Sequence, residues 1–453
     1  MLAGLAWLVG GGREGAVAIA LAVLPGALLL GGGIASLALP GDFRSSQITA
    51  LGGALGICLA LPVLLVANTA WGLLVLLASA LGFLAAGGLA LAREPASEDV
   101  PDFAIDTRFA AYAGLDEALL GAMWLVQPRP KVETLSDVAR EVERIEELLG
   151  STGWSDDPAA FHAAPPALQE AELRPARAAG IEFEHLCFES KYEPHPDLPG
   201  RERWLGYSAN HTAHAWVQRH SGAPRPWLLC IPGYGAGQPW LDLRSFRSRW
   251  LHDELGFNVA VAVLPVHGPR APGRRSGEAF TDRALTNLLY AEGQAIWDLR
   301  RLLSWIRAQG GGPIGVHGVS LGGYTAALLA GLEPGLACVV AGIPPIDLTR
   351  TMRRYETGLD ALVGDQIGFG WDRVEHVLRV VSPLALEPRV PRERLFIYAA
   401  TGDRFVATSQ VRDLWRHWQE PRIAWLPCGH ISMLWRREVN VFLREALEQH
   451  LRA

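Results

Sequence analysis

Charged side chains are scarce in the first fifth of this 453-residue chain. Within residues 1–92 they are Arg13, Glu14, Asp42 and Arg44, whereas the whole chain has 41 Lys and Arg and 47 Asp and Glu. Disorder is excluded for most of the chain, because disordered segments combine low hydrophobicity with high charge. The chain therefore has an almost uncharged N-terminal segment and a remainder with the composition of a globular protein.

Lysine is also scarce, and cysteines are few and dispersed. Lysine occurs at Lys131 and Lys191 alone, the net charge is −6, and long runs of Lys and Arg are missing. This balance predicts no nucleic-acid partner, because such binders usually carry a basic face or tail. The five cysteines form neither a CxxC pair nor a zinc-type spacing with histidine, so we expect neither a disulfide scaffold nor a metal site. No motif implies an organic cofactor.

The uncharged N-terminal segment predicts membrane-spanning helices. A bilayer core of about 30 Å requires roughly 20 helical residues. The uncharged stretch Ser45–Ala92 is too long for one span and suits two, with a turn at Ala67–Ala70. Together with an earlier apolar run, we expect three spans within residues 1–92: Ala16–Leu39, Ile48–Val66 and Trp71–Leu91. A buried helical hairpin in a soluble protein, and a cleaved signal peptide for the first run, are the alternatives.

Arginine placement predicts the orientation of these spans. With three spans, the remainder of the chain lies on the side that carries Arg44, Arg93 and Arg108, while Arg13 lies opposite. The positive-inside rule then places the globular domain in the cytoplasm.

Residues 93–180 are predicted to link the two parts. Phe109–Val126 is apolar but contains Asp116 and Glu117, which favours an interfacial or core helix over a further span. Ser155–Gly180 is rich in Ala and Pro and is interpreted as a connecting segment. An amphipathic helix, packed on the main domain or on a partner, is predicted from apolar residues at helical spacing: Leu135, Val138, Val142, Ile145 and Leu149.

Residues 181–453 alternate short apolar runs with helical stretches, which predicts an α/β domain with a mostly parallel sheet and helices on both faces. The predicted helices include Leu285–Gln309 and Tyr324–Leu332. The predicted strands are Ile181–Glu189, Ala213–Gln218, Trp227–Ile231, Val259–Leu264, Ile314–Val316, Ala337–Ala341, Leu395–Ala399 and Ile423–Leu426.

A G-x-S-x-G motif, Gly318–Gly322, lies between the strand Ile314–Val316 and the helix Gly323–Leu332. A strand, a sharp turn and a helix are what a nucleophile elbow requires, and they would leave Ser320 exposed at the strand end. A glycine-rich helix start with Ser320 as its cap is the alternative interpretation.

A serine hydroxyl needs a base, usually a histidine oriented by a carboxylate, in the chain order Ser, Asp, His. Asp403 follows the strand Leu395–Ala399, and His430 follows Ile423–Leu426. Both side chains are therefore expected to converge with Ser320 at one edge of the sheet. Asp347, after an earlier strand, is the alternative acid.

The glycine-rich loop Pro232–Gly237 follows the strand Trp227–Ile231 and is the candidate oxyanion hole. The backbone N–H groups of Tyr234 and of Leu321, which follows the nucleophile, are the expected donors. A phosphate-binding loop is the competing interpretation, but Gln238 stands where the last glycine of G-x-G-x-x-G belongs and no Walker lysine follows.

Two further residues, His267 and Arg270, follow the strand Val259–Leu264 and are candidate substrate contacts. A structural salt bridge is the alternative role for Arg270. Residues 347–394 lie between the strand that precedes Asp347 and the strand that begins at Leu395. Their apolar side chains suggest a helical, lid-like insertion over the site.

Taken in order, the elbow, the glycine-rich loop, Asp403 and His430 resemble the α/β-hydrolase superfamily over residues 181–453. Within it, Leu264–Arg270 and Gly318–Tyr324 resemble a bacterial group of membrane-associated hydrolases of undefined substrate. Many esterases have His-Gly in the oxyanion loop, where this chain has Pro232-Gly233.

The resemblance implies a serine hydrolase that cleaves a lipid or small-molecule ester or thioester through an acyl-enzyme. An acyltransferase with the same triad, and a non-catalytic membrane scaffold on a hydrolase fold, are the alternatives.

Overall fold

A computed structural model describes residues 1–95, 97–126, 132–281, 284–310, 312–354, 364, 366 and 368–452. The chain divides into two compact units. The first comprises Met1–Arg129, Ala400–Ser409 and Trp425–Arg436. The second comprises Pro130–Ala399, Gln410–Ala424 and Arg437–Ala453.

This division differs from the expected one, in which residues 1–92, 93–180 and 181–453 are the successive parts. The segments that carry Asp403 and His430 belong to the unit of the N-terminal helices. The physical reason is a buried polar network around Asp116 and Glu117 of the N-terminal helices.

The first unit is built on five helices: α1 (Leu2–Glu14), α2 (Ala16–Ala38), α3 (Phe43–Val66), α4 (Thr69–Ala92) and α5 (Thr107–Val126). The turn between α3 and α4 lies where the sequence predicts it. Asn68 caps α4, since its side-chain oxygen accepts the backbone N–H groups of Ala70 at 2.9 Å and Trp71 at 3.3 Å.

Small residues allow these helices to approach closely. A Cβ atom added to Gly53 would lie 2.8 Å from the Phe83 Cβ atom, and one added to Gly56 would lie 2.3 Å from the Ser79 Oγ atom. The Ser79 hydroxyl also accepts the indole N–H of Trp7 at 2.9 Å. Close packing of glycine faces is typical of helices in lipid.

Among the residues that the structure describes, α2, α3, α4 and α5 are long and apolar enough to cross a membrane, judged by length and composition. The first three correspond to the three expected spans. The fourth, α5, contains Asp116 and Glu117, the residues that argued against a span, and both are fully buried. Four apolar helices of this length indicate membrane association.

The second unit begins with α6 (Val132–Thr152). Its apolar residues Val138, Val142, Ile145 and Leu149 are buried, which confirms the predicted amphipathic helix. The side chain of Leu135 lies outside the described residues.

A nine-stranded sheet follows, in the order β1-β2-β3-β5-β4-β6-β7-β8-β9. The strands are β1 (Glu172–Ala178), β2 (Ile181–Glu189), β3 (Thr212–Gln218), β4 (Trp227–Ile231), β5 (Asn258–Ala262), β6 (Ile314–Val319), β7 (Cys338–Gly342), β8 (Leu395–Ala400) and β9 (Arg422–Leu426). Pairing is antiparallel from β1 to β5 and parallel from β5 through β4, β6 and β7 to β8. The mostly parallel sheet is thus confirmed, and the eight predicted strands lie within three residues of their expected bounds.

Helices connect these strands. The described ones are α7 (Arg201–Leu205), α8 (Pro239–Ser245), α9 (Glu278–Thr281), α10 (Ala284–Ala308), α11 (Leu321–Leu332), α12 (Leu348–Arg353), α13 (Trp371–Leu378), α14 (Thr408–His417) and α15 (Arg437–Leu451).

Strand β1 corrects the sequence interpretation, which placed Glu172–Ala178 in a connecting segment. It pairs with β2 at the edge of the sheet, from Glu172 opposite Cys187 to Ala178 opposite Ile181. An exposed edge strand needs no apolar alternation and tolerates Pro175, so neither of the usual strand signals is present.

The lid-like insertion predicted at 347–394 is described in part. Helix α13 buries Val374, Val377 and Leu378, while Tyr355, Leu359, Leu362 and Ile367 lie outside the described residues. Its role as a lid stays a prediction.

Candidate active site

Ser320 occupies the sharp turn between β6 and α11 in the second unit. Its backbone is left-handed, with φ of 57° and ψ of −122°, a strained conformation for a residue with a side chain. Its N–H donates to the Gly342 carbonyl at 2.8 Å, which fixes the turn against β7. This is the strand, turn and helix expected of a nucleophile elbow.

The two glycines of the motif are required by close backbone contacts. A Cβ atom on Gly318 would lie 1.9 Å from the Gly322 carbonyl oxygen. A Cβ atom on Gly322 would lie 1.9 Å from the Ile231 carbonyl oxygen, at the end of β4. The elbow is therefore packed directly against the strand that leads into the candidate oxyanion loop.

The loop after β4 lies beside the serine. A Cβ atom on Gly233 would be 3.2 Å from the Ser320 Cβ atom, so the backbone preceding Tyr234 passes close to the nucleophile. Asp242 of α8 holds the loop, because its carboxylate accepts the N–H of Gly237 at 3.1 Å and the indole N–H of Trp216 at 2.9 Å. Burial raises the pKa of Asp242 to about 6.

Asp403 and His430 meet in the first unit. The Nδ1 atom of His430 lies 2.6 Å from the Asp403 Oδ2 atom, and both side chains are buried. The other carboxylate oxygen of Asp403 accepts the N–H groups of Phe405 and Val406, each at 2.8 Å. These bonds orient the carboxylate, which in turn fixes the imidazole ring.

The charge balance around His430 favours its protonated form. Burial lowers the pKa of His430, but the negative charge of Asp403, the hydrogen bond between the two and the charge of Asp116 outweigh it. The net result is a pKa raised above its ordinary value of 6.5.

Asp116 is a site residue that sequence reasoning missed. Its carboxyl group accepts the backbone N–H of His430 at 2.6 Å, of Ile431 at 3.0 Å and of Arg404 at 3.2 Å. One side chain of α5 therefore holds both segments that carry Asp403 and His430. The available signal was an acidic pair inside an apolar helix. Nothing in the sequence pattern connects this pair to residues that lie 288 to 315 positions later.

Glu117 completes the polar network on α5. Its carboxylate accepts from the guanidinium of Arg404 at 2.9 Å and from the hydroxyl of Ser46 in α3 at 2.7 Å. Arg404 is also paired with Glu94, so its buried charge is neutralised from two directions. Buried charges persist in proteins when they are paired in this way.

Arg270, a candidate substrate contact in the sequence, lies in the interior of the second unit. It is fully buried, forms an ion pair with Asp298 at 2.7 Å and donates to the carbonyl groups of Val263 and Asn210. The loop that carries it turns inward at Val266, whose φ is 57°. The structural salt bridge, the alternative interpretation, is therefore correct.

His267 is also buried, beneath the oxyanion loop. Its Nδ1 atom donates to the Pro265 carbonyl at 2.8 Å, and its ring contacts that of Tyr234 with centroids 5.7 Å apart. Burial lowers its pKa to about 4, so the imidazole is neutral at pH 7. Contact between His267 and a substrate stays a prediction, and its observed contact is with the loop.

Asp347, the alternative acid, caps α12. Its side chain accepts the N–H of Arg350 at 2.8 Å and forms an ion pair with the same residue at 3.3 Å. The acid that contacts His430 is Asp403.

Residues 224–359 match the family model described as "Alpha/beta hydrolase domain containing 18". The uncharacterized protein MT2702 of Mycobacterium tuberculosis is 41% identical over 342 residues, which cover 75% of this chain and 82% of that protein. The chain belongs to the α/β-hydrolase superfamily. The uncharacterized protein Rv2627c, from another strain of Mycobacterium tuberculosis, is 41% identical over the same length.

Solved structures with a similar fold include two esterases. The acetyl xylan esterase of Paenibacillus sp. R4 is 15% identical, with a TM-score of 0.46, and the match covers 65% of this α/β-hydrolase chain and 93% of that one. Acetyl Xylan Esterase 1 of Thermoanaerobacterium sp. JW/SL YS485 is 16% identical, with a TM-score of 0.45, over 66% and 92% of the two chains.

Proposed function

We propose that this protein is a membrane-attached serine hydrolase that cleaves an ester through Ser320, His430 and Asp403. The observation that carries the proposal is the buried pair of His430 and Asp403, 2.6 Å apart, in an α/β-hydrolase chain whose Ser320 occupies a strained turn. A buried imidazole bonded to a carboxylate is the arrangement of a general base with a fixed tautomer.

In the proposed reaction, the Ser320 Oγ atom attacks the ester carbonyl carbon and His430 accepts the hydroxyl proton. Because Nδ1 of His430 is bonded to Asp403, the accepting atom is Nε2. The N–H groups of Tyr234 and Leu321 bind the oxyanion of the tetrahedral intermediate. Its collapse releases the alcohol, which takes the proton from His430, and water then cleaves the acyl-enzyme to release the acid and restore Ser320.

The substrate that we propose is an ester with an apolar portion, either a small molecule or a lipid. Four helices of membrane-spanning length support access to lipid. Activity against p-nitrophenyl esters should therefore increase with chain length from acetate to octanoate.

Fluorophosphonate labelling tests the nucleophile. These probes phosphonylate serines that a base activates, so we expect the full-length chain in detergent to be labelled and Ser320→Ala to remain unlabelled. Ser155→Ala is the matched control, because Ser155 also lies near a histidine, with its Oγ atom 3.4 Å from His376 Nε2. Labelling that persists in Ser320→Ala would overturn the proposal.

The orientation that we propose depends on whether helix α5 spans the membrane. With three spans the positive-inside rule places the second unit in the cytoplasm, whereas α5 as a fourth span would reverse this. Asp116 and Glu117 lie at the middle of α5 and bind protein groups, which supports three spans and a cytoplasmic second unit. A green fluorescent protein fused to the C-terminus should therefore fluoresce in bacteria, and an alkaline phosphatase fusion that is active instead would contradict the assignment.

A further inference from the structure

Two histidines and a cysteine form a cluster on the antiparallel part of the sheet, in the second unit. The Nε2 atom of His185 lies 3.0 Å from Nδ1 of His214. The Sγ atom of Cys187 lies 3.2 Å from each of these nitrogens. The three atoms thus form a nearly equilateral triangle, and the three side chains are half-buried.

The pleat and register of the strands create this cluster. His185 and Cys187 are two residues apart on β2, so their side chains emerge on the same face of the sheet. Cys187 lies directly opposite His214 in the antiparallel pairing of β2 with β3. The partners are separated by 27 and 29 residues in sequence, so no metal-binding spacing is visible there.

We propose that His185, Cys187 and His214 bind one divalent metal ion, with zinc as the best match. Two imidazole nitrogens and one thiolate sulfur are a donor set that zinc prefers, whereas magnesium and calcium select oxygen ligands. No metal site was expected from the sequence, because the expectation was based on the spacing of ligands along the chain and not on pairing across strands.

The geometry fits a tetrahedral ion after a small adjustment. Zinc bonds of about 2.0 Å to nitrogen and about 2.3 Å to sulfur place tetrahedral ligand atoms roughly 3.3–3.6 Å apart. The observed separations of 3.0 to 3.2 Å therefore need to open by a few tenths of an ångström, which side-chain rotation supplies.

Glu172 is the candidate for the fourth ligand. It lies opposite Cys187 in the pairing of β1 with β2, on the same face, and its half-exposed carboxylate now pairs with Arg174. Water would take the fourth position if that ion pair persists. The cluster also lies in the electrostatic field of Arg270, a cation already neutralised by Asp298.

The histidine and the cysteine differ in what metal binding requires of them. Burial lowers the pKa of His214 to about 4, so its imidazole is neutral at pH 7 and carries a lone pair. Burial raises the pKa of Cys187, and a bound cation lowers it again, so metal binding releases the thiol proton. The ion would join β2 to β3, and also to the edge strand β1 when Glu172 is the fourth ligand, a structural role that is independent of Ser320.

Cobalt titration of the full-length protein in detergent tests the site. Co²⁺ binds zinc sites and reports a thiolate ligand by a charge-transfer band in the near ultraviolet. We expect one Co²⁺ per chain, this band, and displacement of the ion by Zn²⁺. Cys187→Ala should abolish the band, and His214→Gln should weaken binding of Co²⁺ by about tenfold or more.

His220→Gln is the matched control, because His220 stacks on His252 with ring centroids 3.8 Å apart and has the potential to bind cobalt adventitiously. Binding should be unchanged in this variant. Far-ultraviolet circular dichroism of each metal-free variant checks that it is folded. The proposal is overturned if the wild-type protein gives no thiolate band, or if the band persists in folded Cys187→Ala. Both outcomes are independent of fluorophosphonate labelling at Ser320.

Discussion

Replacing His430 by alanine should lower kcat/KM for a p-nitrophenyl ester by about 10⁴- to 10⁶-fold. Without the imidazole, the Ser320 hydroxyl has no base to accept its proton and the leaving alcohol has no acid to protonate it. Steady-state hydrolysis by purified protein in detergent measures the loss. Asp403→Asn should lose about 10⁴-fold, because an amide no longer fixes the tautomer or stabilises the imidazolium.

The control for these variants is His376→Gln. His376, on α13, also lies near a serine hydroxyl, but that serine is Ser155 and not Ser320. Its replacement should leave kcat/KM within about twofold of the wild type, because surface substitutions of this kind have small effects. If His430→Ala retains activity within tenfold of the wild type, His430 is not the base.

Replacing Asp116 by alanine should lower kcat/KM by about 100-fold, a loss typical of a displacement of roughly 1 Å in a catalytic group. The carboxyl group accepts three backbone N–H groups, two of them from His430 and Ile431. Each buried N–H left without an acceptor costs about 1–3 kcal/mol, so the His430 segment is expected to move to find new partners. The same hydrolysis assay measures the effect.

Asp116→Asn distinguishes positioning from a merely structural role. The amide oxygen can still accept N–H groups, but the negative charge that contributes to the raised pKa of His430 is lost. Hydrolysis needs neutral His430, so activity rises with pH as this group loses its proton. The acidic limb of the profile of kcat/KM against pH should therefore move to lower pH in Asp116→Asn.

Glu117→Gln is the matched control for this shift. It removes a neighbouring charge on the same helix, but Glu117 bonds to Arg404 and Ser46. We expect the acidic limb to stay in place in this variant even if the protein becomes less stable. An unshifted profile in Asp116→Asn would show that Asp116 has no influence on the base.

The sequence was sufficient to predict features that depend on local pattern. Apolar runs such as Trp227–Ile231 coincide with strands, because burial on both faces leaves a continuous signal. Asp403 and His430 were predicted from their positions just after strands, and their side chains are in contact in the structure. The two glycines of the elbow were also predicted from the motif, and the structure gives the reason: only residues without a Cβ atom fit at Gly318 and Gly322.

Features that depend on contacts between distant segments were not predictable. Asp116 lies on a helix far from His430 in sequence. Its hydrogen bond to the His430 backbone is therefore seen only in the three-dimensional structure. Arg270 follows a strand end, as site residues do, but a backbone turn at Val266 directs it into the interior. The cluster of His185, Cys187 and His214 depends on strand register, which a one-residue slip would destroy.

The segments that carry Asp403 and His430 belong to the first unit, together with the N-terminal helices. This has a consequence for how the protein should be produced. Hydrophobic leaders are commonly removed to obtain soluble material for crystallisation. A truncated protein starting at Val132 would keep Ser320, but the N–H groups of Arg404, His430 and Ile431 would lose the acceptor supplied by α5. If the truncated protein is inactive, we expect the cause to be the lost support of the His430 segment. Hydrolysis should therefore be assayed with the full-length chain in nanodiscs or mild detergent.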